Sequence, residues 1–209
     1  MSNLDQAIFI LIPVLLVSMS IHEMLHALAA DWLGDPTARL MGRVSFNPLD
    51  HIDPIFTVLM PVLFLLAGGP LFAAAKPVQV NFSRLRYGEF GGAIVGMIGP
   101  LSNLLIAIVA ALVFNHFPPS SDLAYNIFRI TIELNIGLFI FNSIPWPPLD
   151  GSRLLYAFAP RPVQEVMESI EHLGMAGLVF FVLVFYQFGN HIGNLIADLA
   201  HLLAPGLVL

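Results

Sequence analysis

Two histidines flank a glutamate and two apolar residues in the first hydrophobic stretch of the chain, His22-Glu23-Met24-Leu25-His26. On a helix, residues four positions apart lie on one face about 5 to 6 Å from each other, so both imidazoles can reach one zinc ion. Catalytic zinc takes three protein ligands and a water, and a neighbouring carboxylate accepts the proton of that water. The spacing therefore predicts a zinc hydrolase in which His22 and His26 bind the metal and Glu23 is the general base.

The residues around this motif are strongly apolar. Of 209 residues, 57% are hydrophobic and 11% are charged, whereas a soluble domain has about 25% charged residues. The composition predicts a membrane protein with room for four to six segments of about 20 residues each. Two histidines and a glutamate are costly at hydrocarbon depth, which favours a functional site over the alternative of a polar helix face near the membrane surface.

Charge and cysteine content exclude several other classes of protein. The net charge is -6 and the basic residues are scattered, which argues against nucleic acid as a partner. The chain has no cysteine, so disulfides and thiolate metal sites are excluded. Any metal must therefore be bound by histidine, carboxylate or amide side chains.

The third zinc ligand has to come from another part of the chain. We select Asp150, which follows an apolar segment on the proline-rich turn 145–148, because irregular backbone at membrane depth is tolerated mainly where it lines a cavity. Asp31 lies on the helix of His26 but is rotated from it by about 140°, away from the metal face. Three further residues remain as rivals, although a strand exit and a helix cap would also explain them: Asp50, His51 and Asp53.

Hydropathy predicts the helices that must position these residues. The expected fold is an all-α polytopic membrane protein with a three-helix core, formed by apolar segments at about 7–33, 90–114 and 125–144. The first helix should end at Gly34, a residue suited to the left-handed conformation that closes a helix. After the core we expect extra C-terminal helices, of which 161–173 is interfacial and 174–188 is short for a full crossing.

Two kinds of shorter element should accompany the core. Segments 43–47 and 78–82 alternate polar and apolar residues, which predicts two short strands that could pair. Segment 54–75 is apolar but contains Pro61 and Gly68-Gly69-Pro70, which would permit a re-entrant hairpin.

Near the C-terminus, four polar residues recur at helical spacing, typical of the polar stripe of an interfacial helix: His191, Asn194, Asp198 and His201.

The metal site constrains the topology, because His26 and Asp150 must lie at the same depth. This is satisfied if the three core helices cross the membrane and segment 54–75 enters and leaves on one side. Most basic residues then fall on the metal side, which by the positive-inside rule is the cytoplasmic side. These residues are Arg39, Arg43, Lys76, Arg84, Arg86, Arg153 and Arg161.

Residues 142–151 read Asn-Ser-Ile-Pro-Trp-Pro-Pro-Leu-Asp-Gly. Together with the His-Glu-x-x-His helix, this segment resembles the Asn-x-x-Pro-x-Pro-x-x-Asp-Gly motif of the site-2 protease family of intramembrane zinc metalloproteases, and more closely its compact prokaryotic branch without PDZ or CBS domains. The resemblance also covers 99–103 and 47–54, and it reaches from about residue 7 to 160. It implies zinc binding by His22, His26 and Asp150, a general base at Glu23, and a role for Asn142 in positioning substrate or the oxyanion.

The resemblance also implies what the protein does. We expect a zinc-dependent endopeptidase, with one zinc ion per chain, that hydrolyses transmembrane segments of membrane proteins within the bilayer, for regulated proteolysis or clearance of signal remnants. The chain should form one domain, 1–209, with a protease core at about 7–160 and C-terminal helices at about 161–209, as a multi-pass protein of the cell (inner) membrane. The sequence leaves the oligomeric state open.

Two alternatives to a protease stay open. A membrane metal-binding or transport protein could use the same ligands without hydrolysis, since intramembrane histidine and carboxylate groups also mark ion pathways. The other alternative is an inactive, protease-like scaffold. Glu23 discriminates among them, because a metal binder has no use for a base beside its ligands.

Overall fold

The computed structural model describes residues 3–51 and 78–207. Eight α-helices form within these ranges, and two short 3-10 helices occupy Pro48–His51 and Phe82–Arg84. In chain order the α-helices are α1 (Asn3–Trp32), α2 (Thr37–Leu40), α3 (Glu89–His116), α4 (Asp122–Asn142), α5 (Gly151–Phe158), α6 (Arg161–His172), α7 (Met175–Tyr186) and α8 (Gly189–Leu203).

Three of these helices are long and apolar enough to cross a membrane: residues Gln6–Trp32 of α1, the whole of α3 and the whole of α4. They coincide within a few residues with the segments predicted from hydropathy. The protein is therefore a helical membrane protein.

Helix α1 ends as the sequence predicts. Gly34 has a φ of 108°, a conformation that glycine adopts without the steric cost of a side chain. The backbone N–H of Arg86 then donates to the carbonyl oxygen of Leu33 at 2.7 Å. The loop before α3 is thereby attached to the end of α1.

Helix α3 is the centre of the core and packs against α1, α4 and α5. Its buried face carries small residues, including Gly92, Gly96, Gly99 and Ala107. Small residues let helix backbones approach closely where lipid provides no hydrophobic driving force for association. The close packing of α1 on α3 follows from this face, and it brings the histidine motif against α3.

The prediction of two short strands is wrong for the described residues. Residues 43–47 are irregular because their polar side chains bond locally instead of leaving the backbone free for a ladder. The Asn47 backbone N–H donates to Ser45 Oγ at 3.1 Å, and Asn47 Oδ1 accepts from the Leu49 N–H at 3.2 Å. The Arg43 guanidinium donates to the carbonyl oxygen of Asp50, which closes the loop on itself.

Residues 78–81 have no regular secondary structure and lead into the 3-10 helix Phe82–Arg84. The N–H of Asn81 donates to Asp35 Oδ2 at 2.6 Å, and the side chain of Asn81 accepts from the N–H of Ser83. These bonds fasten the segment to the end of α1 rather than to a second strand. The predicted re-entrant segment 54–75 lies outside the described residues.

The C-terminal helices match the expectation of short elements around the core. Helix α7 has 12 residues, or about 18 Å at 1.5 Å per residue, against a hydrocarbon thickness of about 30 Å. Helix α8 packs on the end of the core through Ala200, which joins a buried cluster with Ala107 and Ile136. Its polar residues His191, Asn194, Asp198 and His201 are exposed.

Candidate metal centre

The histidines of α1 and the carboxylate of Asp150 meet at the packed face of α3. His22 Nε2 lies 3.0 Å from His26 Nε2, and Asp150 Oδ2 lies 3.1 Å from His22 Nε2 and 3.3 Å from His26 Nε2. Both histidines are buried. Within the described ranges this is the one group of three metal-ligating side chains close enough to share an ion.

Asp150 reaches the histidines from the loop that follows α4. It lies directly before α5, and the preceding residue, Leu149, is buried in a cluster with Phe181 of α7. Trp146 of the same loop stacks on Phe181 with ring centroids 5.9 Å apart. Gly151 permits the tight return, since a Cβ there would lie 2.2 Å from the carbonyl oxygen of Ser143.

The three ligand atoms have the spacing of a tetrahedral zinc site. At a zinc–ligand distance of 2.0 to 2.1 Å, two ligands of a tetrahedron are about 3.3 to 3.4 Å apart. The observed separations of 3.0 to 3.3 Å are close to this value. Two imidazoles and one carboxylate also form a ligand set typical of catalytic zinc, with a fourth position for water.

Gly99 of α3 faces the same point. A Cβ at this position would lie 2.2 Å from His26 Nε2 and 2.7 Å from His22 Nε2. The missing side chain therefore leaves space between the imidazoles and α3, at the ligand atoms themselves. This space and the spacing of the ligand atoms both fit a bound zinc ion.

The far nitrogen of each imidazole is hydrogen-bonded. His26 Nδ1 donates to the carbonyl oxygen of Val95 at 2.7 Å, and His22 Nδ1 lies 2.7 Å from Asn103 Oδ1. Such partners fix the tautomer and the ring orientation of metal-binding histidines. With Nδ1 protonated, both Nε2 lone pairs point toward the proposed ion.

The Asp150 carboxyl is suited to the ionised, metal-binding form. Burial alone would raise its pKa, but the facing His26 and His22 more than offset this and hold the pKa below its ordinary value. Three ligand atoms this close together require a cation or protons between them. The local electrostatics thus favour positive charge at the centre of the triad.

Glu23 lies beside the ligands and is also held in place. Its side chain is buried, and its Oε2 accepts a hydrogen bond from the backbone N–H of Val78 at 3.1 Å. The loop that is fastened to α1 by Asp35 therefore also orients the candidate base. This bond holds one carboxylate oxygen of Glu23 in place next to the histidine ligands.

The structure separates Asp150 from its rivals. Asp50 accepts from Ser45 Oγ at 2.5 Å within its own loop, and His51 Nε2 bonds to the carbonyl oxygen of Ser45. Asp31 forms an ion pair with Arg39 at 3.0 Å. None of these three belongs to the group at the triad, and Asp53 lies outside the described residues.

Asn142 is the last residue of α4, and its Nδ2 donates to the carbonyl oxygen of Leu138 in the same helix at 3.0 Å. This places the residue at the start of the ligand loop, eight positions before Asp150. Its role in binding substrate or the oxyanion stays a prediction.

Sequence reasoning missed one buried residue next to the site. Asn135 of α4 is fully buried and donates to Ser18 of α1 at 3.0 Å, while its Oδ1 accepts from Asn103 of α3 at 2.9 Å. It belongs to no motif. The signal that could have identified it is an amide side chain in the middle of an apolar span, where polar groups usually bond across helices.

Comparison with known proteins gives related sequences. The chain is 36% identical over 190 residues to "Putative zinc metalloprotease YwhC" of Bacillus subtilis, covering 87% of this chain and 83% of that protein. It is 26% identical over 186 residues to "Putative zinc metalloprotease Rip2" of Mycolicibacterium smegmatis, covering 83% and 70% of the two chains. A third relative, MJ0611 of Methanocaldococcus jannaschii, has the same descriptive name and is 31% identical over 98 residues, about half of each chain.

No family model matches the chain. No solved structure matches it either. The relatives are nevertheless named as zinc metalloproteases, and the structure brings together a possible metal site formed by His22, His26 and Asp150. The prediction of zinc is therefore confirmed.

Proposed function

The chain belongs to the zinc metalloprotease family that includes YwhC, and we propose that it is an intramembrane endopeptidase of the site-2 protease type. Its substrates are transmembrane segments of other membrane proteins, which it cleaves within the bilayer. His22, His26 and Asp150 bind one zinc ion, and Glu23 is the general base.

The depth of the triad in α1 is the observation that carries this proposal. At 1.5 Å per residue, His26 and His22 lie about 9 and 15 Å before Trp32, the last residue of the apolar span. A hydrocarbon core of about 30 Å therefore includes both histidines. A peptide bond that reaches this site has to be at membrane depth as well.

The side chains around the triad have separate tasks in hydrolysis. Zinc, when bound, supplies the Lewis acidity that activates water and polarises a carbonyl group. Glu23 accepts a proton from the attacking water while the oxygen of that water bonds to the scissile carbonyl carbon. Glu23 then delivers that proton to the leaving amide nitrogen as the C–N bond breaks.

A substrate helix has to open before it can react. Its carbonyl groups are hydrogen-bonded within the helix, and unpaired backbone groups are costly in lipid. The local unwinding must therefore take place inside the protein, next to the irregular segments that line the site. In the part of the chain that the structure describes, the irregular segments at the triad are the loop 143–150 and residues 78–81.

We propose that the metal lies nearer the cytoplasmic side. The hydrogen bonds from His26 to Val95 and from His22 to Asn103 show that α1 and α3 run in opposite directions. The ends of α1 and α4 and the start of α3 then share one side, which is the side rich in arginine. The connection 117–121 on the other side has no basic residue.

A metal-binding or transport protein is not favoured as the alternative. A carboxylate that is buried, oriented by the Val78 N–H and adjacent to a ligand is what a hydrolase needs. The names of the relatives describe proteases rather than transporters.

The proposal is tested with purified protein in lipid vesicles and a single-span substrate. Glu23→Gln keeps the size of the side chain but removes the base, so we expect about one zinc ion per chain and a loss of cleavage of at least about 100-fold. Glu133→Gln, in the spanning helix α4, is the matched control and should cleave normally. Mass spectrometry of the products locates the cut within the apolar segment.

Normal cleavage by Glu23→Gln, or a cut confined to the soluble flanks of the substrate, would overturn the proposal. The orientation is tested separately, and the absence of cysteine from the chain helps. Single cysteines introduced at Arg39 and Ser120 should be labelled from opposite faces, with residue 39 on the cytoplasmic face. Labelling of both from one face would contradict the topology.

A further inference from the structure

A chain of hydrogen bonds leads from His22 away from the metal site and through the core. His22 Nδ1 lies 2.7 Å from Asn103 Oδ1, and Asn103 Nδ2 donates to Asn135 Oδ1 at 2.9 Å. Asn135 Nδ2 in turn donates to the carbonyl oxygen of Thr131 at 2.9 Å and to Ser18 Oγ at 3.0 Å. Both asparagines have 0% of their surface exposed.

The group farthest from His22 in this series of hydrogen bonds, the carbonyl oxygen of Thr131, decides which atom donates in each bond. The carbonyl oxygen of Thr131 can only accept, so Asn135 must turn its NH2 group toward it and its Oδ1 toward Asn103. Asn103 must then present its NH2 group to Asn135 and its Oδ1 to His22. His22 is left with one favourable arrangement, in which Nδ1 carries the proton and Nε2 is free.

The two histidines thus obtain the same tautomer by different means. His26 donates directly to the backbone carbonyl of Val95, and because a carbonyl oxygen can only accept, the donor and acceptor of this bond cannot exchange. His22 donates to an amide side chain, which can rotate by 180° and offer NH2 instead of oxygen. Among the described residues, the hydrogen bond to Asn135 on α4 is what prevents this rotation of Asn103.

We propose that Asn135 is a positioning residue of the metal site, which acts through Asn103 to keep His22 Nε2 unprotonated and directed at zinc. This inference rests on the proposed zinc site. Without Asn135, the amide of Asn103 is free to rotate and donate to His22 Nδ1. The proton of His22 then moves to Nε2, where it competes with the metal.

The rival explanation is that Asn135 only joins helices, as buried amides in spanning segments often do. A double-mutant comparison separates the two. In Asn103→Asp the ionised side chain has only acceptor oxygens, so it holds His22 in the correct tautomer in either orientation, while its other oxygen faces Asn135 Oδ1 and repels it. In an Asn103→Asp background the metal site should therefore no longer depend on Asn135.

The measurement is zinc affinity of the full-length protein in detergent, by competition with a chelator of known affinity. Asn135→Leu should weaken binding about 10-fold or more, the range seen when partners of metal ligands are removed. Adding Asn135→Leu to Asn103→Asp removes the repulsion between these two oxygens, so the double variant should bind zinc within about threefold of wild type and no more weakly than Asn103→Asp alone. Thr131→Val is the control on α4, since its hydroxyl bonds only to the carbonyl oxygen of Ile127 among the described residues.

Asn135→Ser provides a second variant in case leucine prevents folding. A serine hydroxyl can still bond to the Thr131 carbonyl but is too short to reach Asn103, so it should reproduce the loss in the wild-type background and not in the Asn103→Asp background. An equal loss in both backgrounds would assign Asn135 to packing alone and overturn the inference. Unchanged affinity in Asn135→Leu and Asn135→Ser would also overturn it, while zinc binding and cleavage by the wild type would leave the proposed function intact.

Discussion

The two sides of the metal triad are built in different ways. On the helical side, His22 and His26 are buried, and each has a polar partner on α3 that orients its ring. On the loop side, Asp150 has 26% of its side chain exposed. Its carboxylate bonds to the two histidines and to no other group in the described part of the chain.

This difference shows how each ligand is positioned. The imidazoles depend on hydrogen bonds and on the close approach of α3 at Gly99. The carboxylate depends on the path of its backbone, which is set by the Ser143 to Gly151 contact and by packing of Leu149 and Trp146 on Phe181. Substitutions on the helical side should therefore affect metal affinity more than substitutions on the loop side.

Gly99→Ala should have the largest effect. Alanine favours helix over glycine by about 1 kcal/mol, so any loss has to come from the added Cβ, 2.2 Å from His26 Nε2. We expect zinc affinity to fall by about 100-fold or more, the upper end for disturbed ligand orientation, in a protein that remains helical by circular dichroism. Gly137→Ala is the control, because among the described residues its Cβ would meet only Ile196, at an ordinary contact distance of 3.4 Å.

Gly96→Ala tests the loop side from the same helix, one turn earlier. Its Cβ would lie 2.8 Å from the carbonyl oxygen of Asp150 and from Arg153 Cβ, so the loop has to move while the histidines stay in place. We expect zinc affinity to fall by only about 10-fold, as for loss of an indirect partner. A loss equal to that of Gly99→Ala, in chelator competition, would remove the distinction between the two sides.

Asp35→Asn tests how the helical side holds the loop beside Glu23. The Asp35 carboxylate accepts from Asn81 and Thr37. Burial would raise its pKa, but these hydrogen bonds lower it below the ordinary value. We expect the substitution to lower the free energy of unfolding at neutral pH by about 1 to 3 kcal/mol, as for a hydrogen-bonded charged group.

The pH dependence of this contribution follows from the lowered pKa. The unfolded chain takes up the proton first as the pH falls, so the stabilisation is present above about pH 3.9 and is lost below it, as the pH falls through the pKa of the folded state. Unfolding in detergent should therefore show wild type and Asp35→Asn converging toward low pH. A constant difference down to pH 3 would contradict the role of the charge.

Trp146→Phe should have the smallest effect. The ring still stacks on Phe181, and the lost indole Nε1 has no hydrogen-bond partner among the described residues. Zinc affinity should stay within about twofold of wild type, since the side chain of Trp146 holds the loop by packing and the backbone hydrogen bonds of the loop are unchanged. A tenfold loss would show that the loop side depends on a polar contact after all.

The sequence predicted which three side chains the structure brings together better than it predicted the residues that orient them. His22 and His26 follow from helical spacing and Asp150 from the proline-rich turn, because these signals are local. The hydrogen-bond partners of the two imidazoles lie on α3, and Asn135 on α4 bonds to one of these partners. Which residues meet there depends on how the helices pack, and spacing along the chain does not specify this. Asn135 was missed for this reason.

The predicted strands failed for a physical reason that is also local. Alternation of polar and apolar residues at 43–47 is compatible with a strand, but Ser45 and Asn47 satisfy backbone groups of their own loop. The extent of the core helices was predictable because length and apolarity alone define them. The predicted re-entrant hairpin at 54–75 and the cytoplasmic orientation stay predictions.

X-ray absorption at the zinc edge shows directly whether the two histidines bind zinc, because it counts the imidazoles bound to the metal in the intact protein. We expect one zinc per chain with two imidazole nitrogens and oxygen ligands at about 2.0 to 2.1 Å. We expect the same shell in Glu23→Gln and one imidazole fewer in His22→Ala. A wild-type shell with fewer than two imidazoles, or a shell that His22→Ala leaves unchanged, would contradict zinc binding by the two histidines.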